Sequence, residues 1–250
     1  MKTVDFLGIP IHNLSMDETL SLAKNAILQR KQVLHTVVNA AKIVGMRQKR
    51  DLAQSVKMAN IINADGMAVV WASRLLGNPL KERVAGIDLM NNLVEMAFIN
   101  KFKIFFFGAE ESVVNKVTEV FAQKYSPEII GGFRNGYYNL DEEKKIAEEI
   151  ANTECHILFV AMSSPKKENF LYNYRNILGR IPFIMGVGGS FDVVSGKTKR
   201  APLWMQSGGL EWLYRIYQEP GRMWKRYLVT NTIFIFLVFK QWLKGIAGKN

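Results

Sequence analysis

Short apolar runs that stop at a glycine or a polar residue, each followed by a stretch of helical period, constrain this chain more than any other feature. They lie at 33–38, 61–62, 103–107, 129–130, 156–160 and 181–187. They are closed respectively by Asn39, by Asn63 with Asp65 and Gly66, by Gly108, by Gly131 and Gly132, by Ser163 and Ser164, and by Gly186, Gly188 and Gly189. The runs are near-continuous rather than alternating, as in strands covered on both faces. Strand and helix in strict succession predict an α/β fold, with a mostly parallel, Rossmann-like sheet and helices on both faces. In open sheets of this kind the chemistry collects at the carboxyl ends of the strands.

Local signals set the helices between them. Ser15 followed by Glu18 is a capping box opening a helix over 15–29, and one helix is expected over 40–58. Acidic Glu110 and Glu111 open another after the 103–107 strand. Asp141 is expected to cap a charged helix reaching 151, and Pro165 suits a helix start. Residues 2–12 read as a short extended pair. From Pro202 the 3.6-residue period runs on without a further strand signal. The division is therefore an α/β catalytic domain at 1–195 and a basic, Trp-rich helical appendage at 196–250.

That appendage is unusual in charge. From Lys197 onward ten Lys or Arg face only Glu211 and Glu219, a net +8 of the chain's +11, and four of the five tryptophans lie there. Cations mixed with tryptophan suit nucleic acid or an anionic membrane surface. Nothing approaches the roughly 20 apolar residues that span a bilayer; the longest apolar run is 233–239. The N-terminus does not read as a signal peptide, because Asp5, Pro10 and Asp17 interrupt it. A single cysteine, Cys155, excludes an internal disulfide, and the three histidines have no ligand spacing.

The strand ends supply the candidate chemistry. Asp65, before Gly66 and an apolar helix, is either a carboxylate presented at the sheet rim or a helix cap. Glycines 108, 131, 186, 188 and 189 either let backbone amides approach a phosphate or make tight turns. Phe191 stands where a dinucleotide fingerprint needs its third glycine, and there is no P-loop. Asp192 is placed to bond a ribose or to cap a turn. Pro165, Lys166, Lys167 and Glu168 set two ammonium groups beside a strand end, against a diphosphate or solvent. No DxD triplet occurs, so fixed cations and amides would have to hold a diphosphate without a metal.

In order along the chain come Thr36-x-x-Asn39; Asn63-Ala64-Asp65-Gly66; Arg83-x-x-Gly86-x-Asp88-Leu89; and Phe107-Gly108-Ala109. Then follow Pro165-Lys166-Lys167-Glu168; Gly186-x-Gly188-Gly189-x-Phe191-Asp192-x-x-Ser195-Gly196; Arg200-Ala201-Pro202-x-Trp204; and Glu211-Trp212-Leu213-x-Arg215. This set closely resembles the WecG/TagA/CpsF glycosyltransferases (glycosyltransferase family 26) over nearly the whole chain. The resemblance implies an inverting, metal-independent transferase without a cofactor. It would move an N-acetylmannosamine-type sugar from a UDP donor to an undecaprenyl-diphosphate-linked sugar, in cell-surface polysaccharide or teichoic acid synthesis. It implies Asp65 as base, with Thr36, Asn39 and Arg83 around it. Donor binding then falls to Asn63, Gly66, Asp88, Phe107, Gly108, Ala109, Gly131, the 165–168 motif, Gly186, Gly188, Gly189, Phe191 and Asp192. Arg215, Arg222 and Arg226 fall on the appendage that meets the lipid acceptor, at the inner face of the cell membrane. Many members carry glutamine where this chain has Lys167, and a cation there admits an acidic donor sugar.

Two other classes compete. A nucleic-acid-binding protein would use the same basic tail, but its tryptophans alternate with Leu, Ile and Phe rather than with phosphate-spaced cations. A nucleotide-sugar-binding protein without catalysis differs from the enzyme only in turnover. The sequence also leaves room for a homo-oligomer.

Overall fold

The computed structural model describes residues 1–247. Strands β1 (Thr3–Phe6) and β2 (Ile9–His12) form a separate antiparallel pair. The main sheet comprises β3 (Val33–Val38), β4 (Ile61–Ala64), β5 (Ile104–Gly108), β6 (Ile130–Arg134), β7 (Ile157–Ala161) and β8 (Phe183–Gly186). Their order is β4-β3-β8-β7-β5-β6, and every neighbouring pair is parallel. All six carboxyl ends therefore open onto one edge.

The helices are α1 (Met16–Leu28), α2 (Ala40–Gln48), α3 (Arg50–Lys57), α4 (Met67–Leu75), α5 (Gly86–Asn100) and α6 (Glu111–Lys124). There follow α7 (Glu143–Asn152), α8 (Lys166–Asn173), α9 (Ser190–Val194), α10 (Leu203–Ser207), α11 (Glu211–Gln218) and α12 (Pro220–Ala247). Side chains alternate across β5, as strand geometry requires. Ile104 and Phe106 pack with α1, α5 and α6 on one face. Phe105 and Phe107 pack with α7 and α8 on the other. A third apolar cluster joins β1 and β2 to α2, α3, α4 and the Phe234–Val238 face of α12.

Two expected boundaries are corrected. The single helix over 40–58 is two, because Lys49 is extended (φ −125°, ψ 108°). The break lets α2 lie against α12 while α3 turns onto α8. Asp141 does not cap the charged helix; it lies inside a 3-10 turn, Leu140–Glu142, whose own cap is Asn139, its N–H donating to Glu142 at 2.8 Å, and Glu142 stands at the cap position of α7. The Ser15–Glu18 capping box forms as expected.

In the appendage, α12 is apolar on two sides. Phe234 and Val238 are buried, with Ile233 and Leu237 beside them, and the Phe234 ring stacks on Phe6 at 6.2 Å. Ile235, Phe236, Phe239, Leu243 and Ile246 face outward. Among the described residues no helix is long and apolar enough to cross a membrane.

Candidate active site

The rim of the sheet is built first by β3 and β4. Asp65 follows β4 directly, and its N–H donates to Val38 O at 2.8 Å, so the strand pairing fixes where the carboxylate emerges. Gly66 then turns the chain into α4 at φ +148°, a backbone conformation that side-chain-bearing residues rarely adopt. The Asp65 side chain is 27% exposed, open on one side and bordered by Arg83 on another. Val84 N–H donates to Ala64 O at 2.9 Å and pins the segment carrying Arg83 to the same strand end.

Arg83 Nε stands 3.7 Å from Asp65 Oδ1, too far for a hydrogen bond. Its Nη2 instead donates to Glu211 Oε2 at 2.6 Å, and its Nη1 to Gln206 O at 3.2 Å. Arg200 continues the chain of charges. It grips Asp88 through two hydrogen bonds of 2.5 and 2.7 Å, and its Nε lies 3.9 Å from Glu211 Oε1. Asp65, Arg83, Glu211, Arg200 and Asp88 thus alternate in sign across the junction of body and appendage. Sequence reasoning gave no site role to Glu211, Arg200 or Gln206. Glu211 and Arg200 lay inside quoted motifs, but their partners are more than 100 residues away.

A second charged group lies beneath the neighbouring strand ends. Lys42 of α2 reaches Glu168 of α8 at 3.0 Å and donates to the Thr36 hydroxyl at 3.2 Å. Lys167 Nζ is 3.2 Å from the same carboxylate, and its stem runs against Gly186. All three ends are buried or nearly so. Burial works against the Glu168 anion, but Lys42 and then Lys167 outweigh it and bring the carboxyl down to about 2. Burial, with Lys42 nearby, pushes Lys167 down to about 8. Two ammonium groups on one carboxylate leave net positive charge under the 186–189 loop. Lys42 is a further residue that the sequence did not single out.

Asn39 is exposed at the end of β3 and accepts from Lys42 N–H at 3.0 Å as the cap of α2. Asn63 lies inside β4, fully buried, its carbonyl oxygen 2.9 Å from His35 Nε2. Burial lowers His35 to about 4, so the ring is neutral near pH 7 and donates from Nε2. Phe107 and Phe191 are core rings, against Phe170 and Phe106 respectively. Gly108 and Ala109 close β5, where Ala109 O accepts from Gly136 N–H at 2.8 Å. Lys166, just past Pro165, donates to Gly136 O at 3.0 Å and lies 3.8 Å over the Tyr138 ring. Beside them an open cleft is lined by Glu110, Glu111, Asn135 and Tyr137. Gly188, Gly189 and Asp192 follow β8 around the start of α9. Gly131 stands apart, packed against Lys103 and Cys155 at the amino-terminal end of the sheet. Arg215 and Arg226 are exposed, and the side chain of Arg222 lies outside the described residues.

The chain matches the model of the Glycosyl transferase WecG/TagA/CpsF family over residues 4–248. It belongs to that family. Within it, the chain is similar to the N-acetylglucosaminyldiphosphoundecaprenol N-acetyl-beta-D-mannosaminyltransferase of Bacillus subtilis (strain 168). That match is 35% identical over 229 residues, 91% of this chain and 88% of the relative. A protein of the same name from Staphylococcus aureus (strain MW2) is 32% identical over 236 residues, covering 94% and 90%. This WecG/TagA/CpsF member is therefore a glycosyltransferase, and a glycosyl transfer needs a proton acceptor and a stabilised leaving group. Asp65 is a half-open carboxylate at the edge where such folds react. The lysine pair on Glu168 and the amides of the 186–189 loop offer fixed positive charge at the neighbouring strand ends.

Proposed function

We propose that this chain is an inverting, metal-independent transferase. It moves N-acetylmannosamine, or a closely related sugar, from UDP to undecaprenyl-diphosphate-linked N-acetylglucosamine. The relatives' names support that acceptor and that sugar. The observation that carries the reading is Asp65, a carboxylate on the open edge of the sheet with a guanidinium beside it but not bonded to it. Asp65 takes the proton of the acceptor hydroxyl as its oxygen attacks the anomeric carbon. The sugar–phosphate bond breaks on the opposite face, and UDP leaves with the electron pair. Charge appearing on the diphosphate is met by the Lys42–Glu168–Lys167 cluster and the 186–189 amides, with Lys166 at its edge. On this reading the net positive charge of that cluster is committed to the diphosphate, which favours a neutral donor sugar such as the one in the relatives' names over an acidic one.

Residues 1–195 act as the catalytic body and 196–250 as the part that meets lipid. The outward face of α12 is apolar and carries exposed Lys225, Arg226, Lys240 and Lys244, a composition suited to the surface of an anionic bilayer. On this reading the protein is peripheral on the cytoplasmic face of the membrane.

The test is Asp65→Asn, which keeps shape and removes basicity. With a synthetic prenyl-diphosphate-linked acceptor, UDP release is expected to fall roughly 100-fold or more, as losses of a general base do, while donor binding persists. A near wild-type rate would remove Asp65 from the role.

A further inference from the structure

The Arg83 guanidinium is turned away from the carboxylate it stands beside. It is 12% exposed, and its Nε has no hydrogen-bond partner among the described residues, although Asp65 Oδ1 is 3.7 Å away. Its two Nη groups are held by the appendage, through the Glu211 carboxylate and Gln206 O. An arginine this close to a carboxylate normally closes into a two-bond pair; Arg200 does so with Asp88 only a short way along the same network. The difference between the two arginines is Glu211. It makes a 2.6 Å hydrogen bond to Arg83 and only a 3.9 Å contact to Arg200.

We infer that Glu211 is a positioning residue for the transfer, holding the Arg83 guanidinium off Asp65 so that the carboxylate stays free to take a proton. This rests on Asp65 being the base. A carboxylate locked in a bidentate pair with arginine is both occluded and less basic. Glu211 supplies the competing charge from the first turn of α11, so seating the appendage and freeing Asp65 become one event. The charged groups that face Asp65 are Arg83 before α5 and Arg200 before α10, with Asp88 of α5 and Glu211 of α11 behind them. Removing the Glu211 charge leaves Asp65 as the nearest carboxylate to Arg83.

The test compares Glu211→Gln, Glu211→Asp and Asp65→Asn in the full-length chain, by UDP release across pH with the lipid-linked acceptor varied. In Glu211→Gln, kcat is expected to fall about tenfold or more, a part of the general-base factor. The acceptor KM should change little, and the acid limb of the rate profile should move to lower pH, because a base paired with a cation protonates later. Glu211→Asp keeps the charge and should recover most of the rate. Should Glu211→Gln fail to fold by thermal unfolding, the same profile on Glu211→Asp decides, with a smaller acid-ward shift expected. An unchanged acid limb overturns the inference, and so does a loss confined to acceptor KM, which would make Glu211 a mere tether of the appendage. A near wild-type Asp65→Asn would sink the base assignment and this inference together. An inactive Asp65→Asn with an unshifted Glu211→Gln would sink this inference alone.

Discussion

Helix α12 shows two apolar faces, and a pair of substitutions two residues apart separates what they do. Phe234 is 4% exposed and stacked on Phe6, among Leu7, Ile9, Ile11 and Val44. Phe234→Ala empties that site, and buried Phe→Ala changes cost about 3–5 kcal/mol. For a domain of this size that is roughly a 10 °C fall in melting temperature. Phe236 is 63% exposed on the other side, in line with Phe239, Leu243 and Ile246. Phe236→Glu should leave the melting temperature nearly unchanged, within about 0.5 kcal/mol.

The vesicle result should be the reverse. A phenylalanine side chain offers about 200 Å², of which roughly 130 Å² is exposed here; at about 25 cal/mol per Å², full burial in lipid is worth ~3 kcal/mol. An interfacial helix sinks only part of that face, so about half is retained, and the added charge costs about 1 kcal/mol against anionic lipid. Partition onto phosphatidylglycerol vesicles should weaken by about 2.5 kcal/mol, roughly 70-fold, read by co-sedimentation. The assignment of faces fails if Phe236→Glu melts like Phe234→Ala, or binds vesicles like the unmodified chain. The same packing bears on truncation. Cutting before Tyr214 uncovers Phe6, Leu7, Ile9 and Val44, so the residual body should aggregate rather than persist as a soluble unit.

Two further outcomes follow from buried charge. His35 is held neutral down to about pH 4 by burial, against 6.5 when free, so between those values the unfolded chain binds the extra proton and stability falls as pH falls. The loss amounts to about 3 kcal/mol across that window, and His35→Gln should flatten the melting temperature between pH 7 and 4.5. An unchanged slope in the variant would assign the acid lability elsewhere. If fixed cations rather than a metal hold the departing diphosphate, excess EDTA should leave turnover unchanged; loss restored by magnesium or manganese would refute that assignment.

The sheet was legible because most of its strands are buried on both faces and so read as unbroken apolar runs with abrupt polar ends; the edge strand β6, with no buried residue, offered only Ile129 and Ile130 before its glycines. The Asp65 turn was legible for the same reason, but the choice between a rim carboxylate and a helix cap was not; in the fold Gly66, not Asp65, holds the cap of α4. Helix α5 sends no such signal, because Ala85 at its cap makes no side-chain bond. The break at Lys49 is equally silent, being set by what α2 and α3 pack against. Lys166 and Lys167 read as two ammonium groups beside a strand end, set against a diphosphate or solvent. That Lys42, from a helix more than 100 residues earlier, completes a buried cluster is a tertiary fact. Asn63 belongs to the same class: its strand position was clear, but its pairing with His35 depends on the register of β3 against β4.

Charge counting meets the same limit in the appendage, where the distinction matters for mechanism. A net +8 treats all its cations alike, yet the fold divides them. Arg200 turns inward to Asp88, and Lys197 bridges to Glu110 at 2.7 Å across the edge of the sheet. Arg215, Lys225, Arg226, Lys240 and Lys244 remain exposed. The Arg200 pair acts at short range between partly buried partners and is only weakly screened by salt, whereas the half-exposed Lys197–Glu110 pair and the outward group act through solvent and are screened within about 10 Å at 0.1 M ionic strength. Raising salt should therefore lift the protein off vesicles before it loosens the junction at Glu211. The appendage is then two devices on one run of chain. On the proposed reading, a salt-resistant inner face completes the surroundings of Asp65, and a salt-sensitive outer face sets how long the site stays beside its lipid.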